Sequence, residues 1–276
     1  LYFCDKINPL KITFLGTGTS QGIPVIGSRH PVCHSDDVKD RRLRVSALIQ
    51  WDDTNVIIDC GPDFRVQMLG TLARNCDTNN PLAEVAGILF THEHADHVAG
   101  LDDIRPFVFN QGDMPIYAHR RVLDTLKRRF DYIFTTENRY PGAPSVSARE
   151  VKNNRSIPLG GIDVEPIEVF HGELQVFGYR FDKIAYLTDV KTIAPAEIEK
   201  LKGLDILVWN ALRVKTHDTH LNVEEAIALA AKIGAKRTYF THISHTMGFH
   251  AEVEKTLPPN IFLAYDGLTL TTSNET

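Results

Sequence analysis

Residues 92–97 place three histidines and one aspartate within six positions, in the order His-Glu-His-Ala-Asp-His. Neutral imidazole nitrogens and carboxylate oxygens are the ligands that suit zinc, and also manganese or iron. His92 and His94 are two residues apart and project the same way from an extended backbone, whereas Asp96 and His97 come from the turn that follows. This spacing indicates two neighbouring metal ions rather than one.

The residues before this cluster predict how it is positioned. Val85–Phe90 is a short apolar run bounded by turn-prone residues, which is typical of a buried strand. The cluster therefore lies on the loop that leaves the carboxyl end of a strand. The alternative is a surface loop that happens to be rich in histidine, but this motif is far more specific than an isolated His-x-His.

The motif is similar to that of the metallo-β-lactamase superfamily, and the similarity extends over nearly the whole chain. It implies that His171 is the third histidine of a first metal site, that Asp189 is a bridging carboxylate, and that His242 is the last histidine of a second site. The second site also takes Asp96 and His97. Each of the three later residues follows an apolar run that predicts a strand: Val164–Val169, Ile184–Leu187 and Arg237–Phe240.

Further predicted elements alternate along the chain. The predicted strands are Lys11–Leu15, Val45–Trp51 and Asn55–Asp59, and the predicted helices are Asp63–Ala73, Arg121–Phe130 and a helix that Asn222 caps. This pattern indicates only an α/β or α+β fold. The resemblance implies a four-layer αβ/βα sandwich with the metals at one edge, between the two sheets. We expect a single domain over 1–276, with 1–9 as a flexible N-terminal segment and 132–155 as a lid or a surface excursion.

A narrower resemblance, to the PhnP-like branch (phosphoribosyl 1,2-cyclic phosphate phosphodiesterase-like), covers about residues 11–270. It is carried by four segments: Phe14–Pro24, Asp40–Arg44, Asp59–Arg65 and Gly100–Phe107. The resemblance implies two divalent metal ions, zinc or manganese, and hydrolysis of a small or cyclic phosphodiester. Two such ions lower the pKa of a bridging water and neutralise charge on a phosphoryl oxygen. The carboxylates of Asp96 and Asp189 would orient that nucleophile.

An expelled alkoxide needs a proton. The resemblance implies a non-ligand histidine for this role in residues 217–220, and we predict His220 as the general acid. His217 is the second candidate, although a solvated loop histidine is the simpler interpretation for it. Arg213 and Arg105 could contact phosphate, since guanidinium suits bidentate pairing. Structural ion pairs with nearby aspartates account for these arginines equally well.

The resemblance also implies a third, structural zinc site, at which relatives carry a Cys-x-Cys-x-x-Cys segment and a later histidine. The corresponding residues here are His30, Cys33 and His245, and Ser28 occupies one of the former cysteine positions. Imidazole and thiolate are good zinc ligands, but serine is a poor fourth one. Water or His34 must complete the shell, so this site is expected to be weaker than the cysteine-rich version, or absent.

Composition limits the partners. The chain has 276 residues and a net charge of −5, which argues against a tRNase Z-like nuclease and against nucleic acid as the partner. A thiolester or lactam hydrolase and a non-hydrolytic PqqB-like protein remain alternatives.

Apolar runs fall short of the ~20 residues that span a bilayer. Four scattered cysteines fit the reducing cytoplasm. We expect a small phosphodiester or nucleotide-like substrate. The sequence is also compatible with a homodimer.

Overall fold

The computed structural model describes residues 9–74 and 84–273. Almost all of the predicted N-terminal segment 1–9 therefore lies outside the described residues, as do Cys4 and Cys76. Within the described residues, no helix is long and apolar enough to cross a membrane.

The described part of the chain folds into strands and helices that alternate as predicted. The strands are β1 (Lys11–Gly16), β2 (Ser46–Trp51), β3 (Thr54–Ile58), β4 (Gly87–Leu89), β5 (Met114–Ala118), β6 (Val146–Glu150), β7 (Ile157–Leu159), β8 (Ile162–His171), β9 (Leu174–Phe181), β10 (Ile184–Tyr186), β11 (Thr192–Ile193), β12 (Ile206–Asn210), β13 (Arg237–Thr241), β14 (Ile261–Leu263) and β15 (Thr269–Thr271). The helices are α1 (Phe64–Arg74), α2 (Ala95–Val98), α3 (Arg105–Gln111), α4 (Arg120–Arg129), α5 (Asp131–Phe134), α6 (Pro195–Glu199), α7 (Val223–Ile233) and α8 (His250–Glu254).

The strands form two mixed sheets. The first has the order β15-β1-β2-β3-β4-β5-β6, and the second has the order β11-β8-β9-β10-β12-β13-β14, with β7 paired to β8. In each sheet one half is antiparallel and the other half is parallel: β3 to β6 in the first, and β10, β12, β13 and β14 in the second. Since the carboxyl ends of parallel strands share one edge, the loops that follow them can build a common site.

Three apolar clusters confirm the predicted four-layer αβ/βα sandwich. Trp51 and Phe181 belong to the cluster between the sheets, with ring centroids 6.1 Å apart. Phe64 on α1 packs on the outer face of the first sheet, and Ala226 on α7 packs on that of the second. Both sheets are thus covered on both faces, which explains why the sequences of their strands are nearly continuous apolar runs.

Local capping fixes where α7 begins, just after the segment that holds His220. The side chain of Asn222 accepts from the Glu225 backbone at 2.8 Å, and the Glu225 carboxylate accepts from the Asn222 backbone at 2.9 Å. This reciprocal pair is the capping box that the sequence predicts. Gly234 ends the helix in the left-handed conformation that glycine tolerates best.

The segment 132–155, predicted as a lid or a surface excursion, is not irregular throughout. It begins within α5 and contains β6, which pairs in parallel with β5 as the edge of the first sheet. The lid remains a prediction for residues 135–145, which lie between these two elements.

Candidate metal centre

The predicted motif begins in the loop after β4, with His92 and His94, and continues into the short helix α2, which holds Asp96 and His97. His94 has an extended backbone (φ −62°, ψ 149°) directly before α2, and its carbonyl accepts from the His97 backbone at 3.0 Å. His92 and His97 are buried, whereas His94 is exposed. The histidines of this segment therefore range from the buried interior, at His92, to the exposed surface, at His94.

The seven predicted ligands and His220 come together at one edge of the sandwich. They come from the β4–α2 loop, from α2, from the end of β8 and from the segments after β10, β12 and β13: His92, His94, Asp96, His97, His171, Asp189, His220 and His242. Three sets of donor atoms lie within 4.8 Å of one another: His92, His97 and Asp189; Asp96, His97 and His242; His171, Asp189 and His220. His94 joins them through its Nδ1, which lies 3.0 Å from the Nε2 of His92.

Asp189 lies at the middle of the cluster. Its Oδ1 is 3.3 Å from the Nε2 of His242 and 3.0 Å from that of His220, and its Oδ2 is 3.4 Å from the Nε2 of His97. Although burial opposes it, the imidazoles of His242 and His97 hold the pKa of Asp189 well below its ordinary value. A carboxylate between facing imidazoles is the arrangement expected of a bridging ligand.

Two buried histidine nitrogens show whether the cluster is suited to a cation. The Nε2 atoms of His97 and His242 are buried and have no hydrogen-bond partner. They lie 3.2 and 3.7 Å from the Oδ2 of Asp96. Burying polar atoms without partners is costly, so something must satisfy them. A divalent ion fits, because imidazole and carboxylate are its preferred donors.

Three backbone positions at the site adopt an uncommon conformation. Asp59, Asp189 and His242 have φ values of 61°, 57° and 55°, in the left-handed region that side chains other than glycine seldom occupy. Each directly or closely follows a strand of the parallel halves, at β3, β10 and β13. Strain of this kind persists where the surrounding contacts determine the geometry, and it clusters at functional sites.

Asp59 supports the cluster through hydrogen bonds to His97 and Thr91, a role that the sequence analysis missed. Its carboxylate accepts hydrogen bonds from the Nδ1 of His97 at 2.7 Å, from the Thr91 backbone at 2.8 Å and from the Thr91 hydroxyl at 2.9 Å. A signal was present, because Asp59 is an acidic residue at the end of the predicted strand Asn55–Asp59. The Nδ1 of His171 is held likewise and donates to the Thr219 carbonyl at 2.7 Å. Such contacts fix the ring orientation of metal-binding histidines.

His220 lies within the donor cluster, and its role as general acid remains a prediction. It is buried, and its Nδ1 lies 3.0 Å from the Thr219 hydroxyl and 3.3 Å from the Nδ1 of His217. Burial lowers the pKa of His220 to about 4, although Asp189 opposes the shift. His217 is half-buried against this ring rather than fully solvated.

The two arginines predicted to contact substrate engage protein groups. Arg105 donates to the carboxylate of Asp102 at 2.7 Å and to the hydroxyl of Tyr140 at 2.9 Å. Arg213 donates to the carbonyl of Thr216 at 2.9 Å within its own loop. The ion-pair alternative is therefore observed for Arg105, and the substrate contacts of both arginines remain predictions.

The residues of the predicted structural zinc site are only partly assembled. The rings of His30 and His245 lie 5.1 Å apart, and the Sγ of Cys33 accepts from the Val25 backbone at 3.4 Å. Within residues 9–74 and 84–273, the donor sets gathered within 4.8 Å do not include these three ligands. The Nε2 of His34 is 3.1 Å from the Ser28 carbonyl. The third site remains a prediction.

Comparison with known proteins agrees with this geometry. Residues 54–243 match the β-lactamase superfamily domain. A diphosphatase from the PhnP family is 42% identical, with a TM-score of 0.86 over 96% of this chain and 98% of that one. Zinc-bound PqqB from Methylobacterium extorquens shares the fold, with a TM-score of 0.74 at 19% identity over 94% of this chain and 99% of that one.

Curated relatives are longer than this chain. An octanoyltransferase from Porphyromonas gingivalis is 40% identical over 261 residues, which are 94% of this chain but 51% of that protein. An exodeoxyribonuclease, YycJ from Bacillus anthracis, is 25% identical over 174 residues, 62% of this chain and 58% of that protein. The chain thus spans about half the length of these relatives, and their names describe the longer proteins. By its sequence, fold and donor cluster, the chain belongs to the metallo-β-lactamase superfamily and, within it, to the PhnP family.

Proposed function

We propose that this metal-dependent hydrolase of the metallo-β-lactamase fold cleaves small or cyclic phosphodiesters. The observation that carries the proposal is the donor cluster around Asp189 in a chain 42% identical to a PhnP-family diphosphatase. The substrate is a small molecule in this proposal, and its identity and any homodimer remain predictions.

The proposed centre holds two divalent ions, zinc or manganese. One ion takes His92, His94 and His171, the other takes Asp96, His97 and His242, and Asp189 lies between them. When bound, such ions supply hydroxide at neutral pH and neutralise charge on a phosphoryl oxygen. The Asp96 carboxylate would accept a hydrogen bond from the attacking hydroxide and orient its oxygen toward phosphorus.

His220 completes the reaction in this proposal. As the hydroxide oxygen bonds to phosphorus, the bond from phosphorus to the leaving oxygen breaks, and the imidazolium form of His220, which the negative charge of a bound phosphate would favour, gives that oxygen its Nε2 proton. Its position supports the role, since Nε2 lies 3.0 Å from the Oδ1 of Asp189 at the middle of the cluster. The contact between His217 and the opposite nitrogen of this ring makes His217 the second candidate for the acid.

A second candidate is cleavage of a diphosphate, which is favoured by the name of the PhnP-family relative. The attack on phosphorus is the same, but the leaving group is a phosphate rather than an alkoxide. Because phosphate departs with less need of a proton, a diphosphatase would depend less on His220. The octanoyltransferase name belongs to a protein of which this chain matches 51%, so acyl transfer is a weaker candidate.

Steady-state assays with zinc- or manganese-loaded protein test the proposal. The panel comprises a cyclic ribose phosphate, bis-p-nitrophenyl phosphate, a disubstituted diphosphate, a precursor tRNA and a thiolester. We expect the highest kcat/KM with the cyclic phosphodiester. Preference for the diphosphate would favour the second candidate, and activity confined to the tRNA or the thiolester would contradict both.

A further inference from the structure

The side chain of Glu93 leaves the metal-binding loop on the face opposite to the cluster. Neighbouring side chains on an extended chain project to opposite sides, so His92 and His94 face each other while Glu93 points away. There the Nε of Arg121 donates to Oε1 at 2.7 Å and Nη2 donates to Oε2 at 3.1 Å. Both side chains are partly shielded from solvent, with exposures of 33% for Arg121 and 16% for Glu93. A two-pronged pair of this kind fixes direction as well as distance.

The same guanidinium reaches the second sheet. Its Nη2 also donates to the backbone carbonyl of Gln175 at 2.6 Å. Gln175 lies on β9 and pairs with Phe170 on β8, the residue directly before His171. Arg121 therefore contacts the loop that carries His92 and His94 and also strand β9, which pairs with the strand that ends at His171.

Helix α4 supplies a stable base for this contact. Its residues Val122, Leu123 and Leu126 are buried in the cluster on the outer face of the first sheet. From the last turn of α4, the Nη1 of Arg129 donates to the backbone carbonyl of Glu93 at 2.7 Å. Glu93 is thus held through its side chain and through its backbone by one rigid element.

We propose that Arg121 is a positioning residue for the first metal ion, acting through Glu93 and the β8–β9 hairpin; this rests on the metal centre of the proposed function. Metal affinity depends on ligands held close to their bonding geometry, and removal of such supporting contacts typically weakens it about 10–100-fold. The ligands of the second ion are supported from elsewhere, since His97 is held by Asp59. Arg121 therefore acts selectively on one ion of the pair.

Zinc binding by Arg121→Met tests this selectivity. In a Cys33→Ser background, which removes the predicted third site, the protein should bind two zinc ions per chain, and Arg121→Met should keep one while the other weakens about 10–100-fold in competition with a chelator. Arg121→Lys keeps the charge but lacks the two-pronged guanidinium, so its zinc affinity should lie between those of the wild type and Arg121→Met. Arg120→Met is the matched control, because the neighbouring Arg120 pairs on the surface with Asp124 at 3.0 Å. It should bind zinc like the wild type.

Thermal unfolding of the metal-free proteins separates positioning from general stability. Arg121→Met should melt somewhat below Arg120→Met without metal, because the Glu93 carboxylate and the Gln175 carbonyl lose their donor, so zinc affinities are compared at a temperature at which both metal-free proteins are folded. Equal zinc affinity of Arg121→Met and wild type, or equal weakening of both ions, would overturn the proposal. If Arg121→Met does not fold, Glu93→Gln decides, since it weakens the same pair without changing size. A wild type that binds neither zinc nor manganese would refute the metal centre itself.

Discussion

The carboxylate of Asp59 and the Nδ1 of His97 lie 2.7 Å apart, and both side chains are fully buried. Because a carboxylate only accepts hydrogen bonds, this contact makes Nδ1 the donor and turns Nε2 toward Asp96 and Asp189. The two Thr91 donors hold the carboxylate in turn. Asp59 thereby sets the tautomer and the direction of a proposed ligand without belonging to the ligand set.

Asp59→Asn should weaken the second metal ion. The asparagine amide can present a donor to the His97 Nδ1, which removes the hydrogen bond that fixes the ring. We expect metal affinity or activity to fall about 10–100-fold, as is typical for such supporting residues. Zinc titration checks this, with Asp189→Ala as the reference that should lose metal and activity together. Wild-type zinc affinity in Asp59→Asn would contradict the role.

His220→Ala should retain both metal ions and lose rate. A general acid typically contributes 10²–10⁴-fold, so kcat should fall by that order for a substrate with an alkoxide leaving group. The loss should shrink for p-nitrophenolate, which departs without a proton. His217→Ala is the comparison and should show a smaller effect. An equal loss with good and poor leaving groups would show that His220 binds substrate instead.

The sequence placed the proposed ligands after predicted strands because apolar strand signals are local, whereas the family resemblance indicated which residues are the ligands. A strand predicted over 164–169 places His171 at its end, and His171 is the last residue of β8. The supporting contacts were missed because they join distant positions. Asp59 and His97 are 38 residues apart, and Glu93 and Arg121 are 28 apart. Only the folded chain brings such pairs together.

The edge strand β6 was missed for a different reason. Its residues Val146–Glu150 are half-buried or exposed, and it pairs with β5 on one side only. Such a strand needs no apolar alternation, so periodicity does not reveal it.

The roles of Arg105 and Arg213 were ambiguous for a related reason, since a charged residue in a sequence does not show which partner it takes. Arg105 takes Asp102, five residues after His97.

A third zinc ion at His30, Cys33 and His245 is checked by anomalous scattering at the zinc edge. In zinc-replete protein, a peak within bonding distance of Cys33 and His245 would support the site, and it should be weaker than the peaks of the main cluster. The reason is that Ser28 cannot replace a thiolate as fourth ligand. Cys33→Ser should abolish this peak and leave the others unchanged. A Cys33 thiol far from His245 and without zinc would refute the site.

His250 should make stability depend on pH below neutrality. Its ring is 4% exposed, and its Nδ1 lies 3.0 Å from the Nη2 of Arg42, which can only donate, so Nδ1 accepts and the ring is neutral. Burial and the charges of Arg42 and Lys39 lower the pKa of His250 to about 4. The unfolded chain, with an ordinary histidine pKa of about 6.5, therefore binds more protons between these two values.

Stability from this group is thus complete above about pH 6.5 and is lost as the pH falls toward the folded pKa, by up to about 1.4 kcal/mol per pH unit. His250→Gln is the matched variant, because its amide oxygen can still accept from Arg42 but does not titrate. Urea unfolding of both proteins without metal, from pH 7.5 to 4, measures the difference. The free energy of unfolding should fall more steeply in the wild type over this range. Parallel curves would show that His250 titrates equally in both states and would contradict the prediction.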